Sequence, residues 1–319
     1  MVKGLEEWMS VDYGRPLPKT QTGPATVISI FNQKGGVGKT TSTISLSAAL
    51  AEYGRKVLVV DFDPQGSLTV GMTGQHDIYP TVYDALLGAV PASEALLKTR
   101  VPGVDLLPAG IDLSSAEIQL VNEVGREFTL NRILAPIIDN YDYVLIDCLP
   151  SLGLLAINAL ATSTGVLIPL QCEFYALKGI GLLHETLEKV QQRINPRIQI
   201  MGILPTMVSR SLHHKEVLEH VINNFSDLVF HTSIPDTIKI SDASMVSQPI
   251  TVYASSSNAA IAYRAAATEM ILRIEGPSAV ENPSGVTAPA TELENPEPAQ
   301  DVDKAPTSVE SAPTVPVEA

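Results

Sequence analysis

Residues 33–41 read QKGGVGKTT, and the fold turns on how they are read. The stretch nearly matches G-x-x-x-x-G-K-[ST], a loop in which glycine amides cradle a phosphate chain, the lysine reaches its outer phosphates and the hydroxyl binds Mg²⁺. On that pattern Gly35, Gly36, Val37 and Gly38 form the cradle, Lys39 supplies the charge and Thr40 the metal ligand, with Thr41 beside it. The departure comes at the start. The first glycine position holds Gln33, and a second lysine, Lys34, follows it. One lysine suffices for the phosphates of one site, so Lys34 has no evident role on its own loop's anion.

The flanks suit a phosphate site. ATVISIF (25–31) is a short β-branched apolar run, and TTSTISLSAALAEYG (40–54) carries apolar residues at helical spacing and ends on glycine. The glycines therefore lie between a strand and a helix, whose N-terminus offers free N–H groups and partial positive charge to an anion. Further candidate strands are 56–60, 104–108, 141–147, 165–170, 198–205 and 228–235, with helical patterns over 176–194, 213–225 and 258–274. Continuous apolar strands joined by helices predict an α/β fold, a mostly parallel, doubly wound sheet with helices on both faces. Ligands on such a sheet bind beyond the carboxyl ends of the strands.

Two acidic motifs fall at predicted strand ends. VDFDPQG (60–66) sets Asp61 at the close of a strand and Asp63 two residues on, in a turn begun by Pro64 and Gly66. YDYVLID (141–147) is an apolar strand ending on Asp147, the pattern of a carboxylate that holds Mg²⁺, usually through water. Magnesium keeps several waters and takes few protein ligands, so Thr40, Asp147 and phosphate oxygens suffice. Cys148 follows Asp147, and Cys172 is the only other cysteine, too few for a disulfide framework or a cluster ligand set.

Composition places these motifs in one folded domain. No run approaches the roughly 18 apolar residues of a membrane-spanning helix, and the first residues, MVKGLEEWMSVDYG, lack the apolar segment of a secretory signal. The cytoplasm is the expected compartment. Residues 276–319 hold eight acids against Lys304 alone and eight of the 23 prolines, which predicts a disordered acidic tail. Residues 1–24 balance three bases against three acids and read as a flexible leader despite Trp8. The folded domain is expected over 25–275, carrying half of the net charge of −14.

KGGVGKT (34–40), with VDFDPQG, YDYVLIDCLPS (141–151), QCEFYALKGI (171–180) and GILPTM (202–207), resembles the ParA/MinD family of deviant Walker A ATPases, in particular the ParA/Soj type, over about residues 27–274. The resemblance implies a P-loop ATPase that uses ATP and Mg²⁺ and forms a homodimer on binding ATP, with Lys34 crossing to the partner's nucleotide. It gives Asp63 the orientation of the attacking water and Asp61 the support of Lys39, Thr40 or the metal shell. Thr206, Met207 and Pro235 become adenine contacts. Catalysis of this kind is positioning and charge neutralisation without a covalent intermediate. The implied function is a slow ATPase switch, stimulated by a ParB-type partner or cargo adaptor, that positions a chromosome, plasmid or protein body over nucleoid DNA.

The implied DNA surface is poorer in charge than the partition type, whose last strand region reads I-P-R-N-V-R-L-x-E-A-P-x-x-G-K-P-I. Here IPDTIKISDASMVSQPI (234–250) has Asp236 for an arginine and Gln248 for a lysine and keeps Lys239. Arg210 and Lys215, beside His213 and His214, and Arg264 and Arg273 near the end of the domain are the other basic candidates, of which Arg210, Lys215 and Lys239 are the expected contacts. Roughly four to six such contacts per dimer support non-specific binding that salt weakens steeply. Two alternatives share the fold. A MinD-like membrane positioner needs a basic amphipathic C-terminal helix, which an acidic tail does not supply. A metabolic synthetase or amidoligase, such as the dethiobiotin or cobyrinic acid enzymes, has no use for Lys34 in a second subunit.

Overall fold

Side chains along the central strands alternate between two cores, and this alternation builds the molecule. In the computed structural model, which describes residues 13–19, 23–173, 176–209 and 211–281, Leu58, Val60 and Phe62 join one apolar cluster while Val57 and Val59 join a second. Val144, Ile146 and Cys148 divide from Tyr143 and Leu145 in the same way. Strands buried on both faces need helices on both, as the apolar runs predict.

The strands are β1 (Arg15–Pro16), β2 (Thr26–Ile30), β3 (Val57–Phe62), β4 (Leu97–Lys98), β5 (Val104–Leu107), β6 (Tyr143–Cys148), β7 (Gly165–Gln171), β8 (Gln199–Thr206) and β9 (Val280–Glu281). A 7-stranded sheet has the order β4-β5-β3-β6-β2-β7-β8, parallel throughout except for the antiparallel β4·β5 edge. The longer helices are α1 (Lys39–Glu52), α2 (Ser67–Thr73), α3 (Leu154–Thr162), α4 (Ala176–Arg193), α5 (Leu212–Phe225), α6 (Ile238–Met245) and α7 (Asn258–Glu275). α1 and α7 supply Leu46, Leu50, Tyr263 and Met270 to one core. α3, α4 and α5 supply Leu160, Leu183 and Val221 to the other.

Register fixes the site. Ile30, the last residue of β2, pairs with Asp147 of β6, and Asp147 pairs with Asp61 of β3. The exit to the glycine loop and both carboxylates thus stand in one row across three adjacent strands.

The stretch expected as a strand over 228–235 makes only isolated parallel bridges, Ile203 with Val229 and Val208 with Pro235. Between them the amides of His231 and Thr232 donate to the Glu269 carboxylate of α7 at 3.0 and 3.1 Å and not to β8. The leader and tail boundaries also shift. Tyr13 is buried, and β1 pairs antiparallel with β9, Leu17 N donating to Ala279 O at 2.8 Å. Residues 13–19 and 276–281 therefore belong to the fold; residues 1–12, 20–22 and 282–319 lie outside the described residues.

Candidate nucleotide site

The loop from Phe31 to Gly38 joins β2 to α1. Gly36 and Gly38 have φ of 74° and 86°, left-handed conformations that favour glycine. A Cβ added at Gly35 or Gly36 would meet nothing within 4 Å, so the loop's backbone faces open space there. Val37 O accepts from Thr206 Oγ1 at 2.9 Å, and Met207 Cε lies 4.0 Å from the Cβ position of Gly38. The structure thus brings Thr206 and Met207 to the loop. Pro235 follows one residue behind, bridged to Val208.

Lys39 begins α1 and is only 7% exposed. Its ammonium donates to Lys34 O at 3.3 Å, under the loop. Burial lowers its pKa, against the opposing charges of Asp147 and Asp63. Thr40 Oγ1 donates to Asp147 Oδ2 at 2.6 Å, and Thr43 Oγ1 to Asp147 Oδ1 at 3.4 Å. Asp147 is pushed up to about 8, first by burial and then by the charge of Asp61. A buried carboxylate under that strain is stabilised in its ionised form by a cation.

The donor set fits Mg²⁺ held together with a nucleotide. Thr40 and Asp147 offer hard oxygens next to an open amide cradle at a helix N-terminus. Among the described residues no group of three or more His, Cys, Asp or Glu could hold an ion unaided, and phosphate oxygens would complete the shell. When bound, Mg²⁺ neutralises charge on the phosphates. With a nucleotide bound, Gly35 to Gly38 and Lys39 would hold the phosphate chain, and Thr40 and Asp147 would hold the metal.

Asp63 lies just past β3, half-buried, with Oδ1 accepting from Gln65 N at 3.0 Å and its carbonyl accepting from Gly66 N at 2.9 Å. Asp61 does something other than the expected support of Lys39 or Thr40. It accepts from Thr69 Oγ1 at 2.7 Å, Thr69 N at 2.8 Å and Asp63 N at 3.3 Å. Thr69 Oγ1 in turn accepts from Ala109 N at 2.9 Å. Asp61 therefore fastens α2 and the Asp63 turn to the sheet. Burial pushes it up to about 6, and the Thr69 hydrogen bonds pull the other way.

Lys34 points away from the loop. Its ammonium pairs with Glu173 at 2.5 Å and donates to Gln171 Oε1 at 3.3 Å. No spacing rule connects residues 139 apart, so this pairing was not legible beforehand. Cys148 and Cys172 are buried thiols whose pKa values burial raises, which leaves them protonated and poor ligands.

The basic candidates separate. Lys215 on α5 and Lys239 on α6 are exposed, while Arg210 lies outside the described residues. Arg264 and Arg273 are corrected as surface contacts. Arg264 forks onto Glu52 and donates to Ser255 and Thr251 carbonyls. Arg273 pairs with buried Glu269 at 2.8 Å and lies 4.4 Å over the Phe230 ring. Both are tied into the fold.

A glycine cradle with a buried lysine, a threonine–aspartate pair at the strand ends and a parallel sheet define an ATPase of the P-loop type. Residues 25–200 match the family model described as an AAA domain. Chromosome partitioning protein ParA of Myxococcus xanthus is 44% identical over 266 residues, covering 82% of this chain and 93% of that protein. Sporulation initiation inhibitor protein Soj of Bacillus subtilis is 44% identical over 246 residues, 76% and 97% of the two chains. A solved structure of cobyrinic acid a,c-diamide synthase from Mycobacterium smegmatis with bound ADP and magnesium has 40% identity and a TM-score of 0.70, covering 80% of this chain and 98% of that one. The chain belongs to the ParA/Soj family of positioning ATPases and uses ATP with Mg²⁺.

Proposed function

We propose that this protein is a dimer-forming ATP switch that positions a chromosome, plasmid or protein body over the nucleoid, binding DNA without sequence preference in its ATP form. The observation that carries the reading is the split between the two lysines of the loop. Lys39 is buried beneath the phosphate cradle, whereas Lys34 lies at the loop entrance with its side chain 49% exposed. A lysine placed there can reach a nucleotide on a second subunit, and Asp63 then holds the attacking water in the closed pair. Lys215 and Lys239, exposed on α5 and α6, supply the phosphate contacts. A ParB-type protein or cargo adaptor would raise the slow basal rate. Among the described residues no helix is long and apolar enough to cross a membrane.

The test is Lys34→Ala. Nucleotide binding by the monomer stays within about threefold of the unsubstituted protein, while ATP-dependent dimerisation is lost, because the missing contact lies across the interface. Hydrolysis that stays unchanged and independent of protein concentration refutes the reading.

The likeness to the M. smegmatis chain carries a second reading, a synthetase that activates a small carboxylic acid with ATP. That reading requires phosphate release to depend on an added acid and an amide donor. A turnover assay with and without double-stranded DNA, and with no acid present, separates the two.

A further inference from the structure

Beside the phosphate loop, between the sheet and α4, lies a cavity of about 380 Å³ with apolar walls from Val37, Ile168, Leu170, Ile180 and Leu183. Lys34, Gln171 and Glu173 also line it. The end of β7 grips Lys34 twice. Lys34 N donates to Asn32 Oδ1 at 3.0 Å, and Asn32 Nδ2 donates to Pro169 O at 2.8 Å. The ammonium pairs with Glu173 at 2.5 Å and with Gln171 Oε1 at 3.3 Å. Pro169 and Gln171 belong to the last residues of β7, and Glu173 lies two residues past its end. A hydrogen bond from Glu173 N to Gln171 O at 2.8 Å sets the turn that aims Glu173 back at the loop. With an apolar wall beside it, this pair is less screened than one surrounded by water.

We infer that Glu173 and Gln171 are positioning residues for Lys34, holding its ammonium in its own subunit until a second subunit's phosphates draw it away. The inference rests on the proposed reach of Lys34 into a partner. An ammonium paired to a carboxylate cannot serve a phosphate chain elsewhere without giving that carboxylate up. Each closing dimer exchanges two such pairs for two lysine–phosphate contacts. Glu173 therefore sets the protein concentration at which ATP produces dimers, and it makes closure answer to a strong polyanion in preference to a chance encounter.

The test variant is Glu173→Gln, which keeps the shape and a hydrogen-bonding oxygen and removes the charge. Glu173 is about half exposed, so folding is not at stake. A half-exposed ion pair is worth up to about fivefold in an equilibrium constant, and two are broken per dimer. Sedimentation with a non-hydrolysable ATP analogue is expected to show E173Q dimerising more tightly, by roughly 3- to 25-fold, with the difference shrinking at ~0.5 M salt. In the nucleotide-free protein an amine-reactive ester should acylate Lys34 roughly threefold faster in E173Q than in the unsubstituted chain, other lysines serving as internal controls. Unchanged labelling of Lys34, or weaker dimerisation of E173Q, overturns the inference. If labelling rises but Lys34→Ala dimerises normally, the hold within the subunit stands and the role of Lys34 in the partner's site is what fails.

Discussion

Asp61 and Asp147 stand opposite each other in register on β3 and β6, two buried carboxylates on neighbouring strands with different attachments. Asp61 is held by Thr69 and the Asp63 amide, whereas Asp147 receives hydroxyls from α1. Placing the tied carboxylate beside the functional one raises the proton affinity of Asp147 and so favours a cation there. One aspartate shapes the loop, and its neighbour faces the hydroxyls of α1.

Asp61→Ala strips an acceptor from three donors in a buried setting. The expected cost is about 3 kcal/mol of stability, read from the urea midpoint, with Thr69→Ala costing less because it removes one donor and leaves the carboxylate partly satisfied. An Asp61→Ala protein as stable as its parent would show that the Thr69 anchor carries no weight.

Lys39 and Asp63 should separate binding from chemistry. Lys39→Ala removes the buried cation beneath the cradle and is expected to lower ATP affinity at least ~100-fold by calorimetry, since hydrogen bonds to a charged phosphate are among the strong ones. Asp63→Ala is expected to bind ATP and dimerise while turnover falls at least ~100-fold, because no group then orients the water. Light scattering that finds only monomer in the Asp63→Ala protein with ATP would contradict the switch.

Glu269 governs acid stability. Burial, the largest influence, favours its protonated form, but hydrogen bonds from His231, the Arg273 charge and the Thr232 amide outweigh it and hold its pKa below the ordinary 4.5. A carboxylate depressed in the folded state contributes stability above its unfolded pKa, and that contribution disappears as pH falls below 4.5 through the folded value. Glu269→Gln should therefore be destabilised at pH 7 and converge on the parent in acid. A difference in melting temperature that stays constant from neutral pH to about 3 would refute this.

Charge reversals should sort the basic residues by attachment. Lys215→Glu and Lys239→Glu are each expected to weaken DNA binding by the ATP form about tenfold or more at moderate salt without lowering the melting temperature. Arg264→Glu does the opposite, lowering stability by breaking the Glu52 fork. Filter binding across a salt series checks the first pair and thermal melting the second.

Much of this site is legible in the sequence because its parts are local. QKGGVGKTT, VDFDPQG and YDYVLID each set a candidate residue at or beyond a strand end, and spacing along the chain is enough to read them. What stays hidden depends on contacts between distant segments. Thr69 as the partner of Asp61 requires α2 to fold back on β3, and Glu173 as the partner of Lys34 requires β7 beside β2. Residues 228–235 have the apolar pattern of a strand, yet the amides of His231 and Thr232 are drawn to a buried glutamate more than thirty residues later. Arg264 and Arg273 read as surface charge because nothing in the sequence announces Glu52 or the Phe230 ring as their partners.

The β1·β9 pairing changes how the chain can be shortened. Arg55 is 1% exposed, and its guanidinium is enclosed by the Leu17 carbonyl, the Tyr53 carbonyl and Glu275, which also receives the Tyr143 hydroxyl at 2.6 Å. Trimming at residue 24, where composition alone would cut, opens one wall of that enclosure and unpairs β9. It lets water reach a guanidinium packed inside the protein and loosens the last turn of α7, whose Glu275 holds that guanidinium. A trimmed version made for crystallisation or labelling must therefore retain both Tyr13 and Glu281, and the strands they flank.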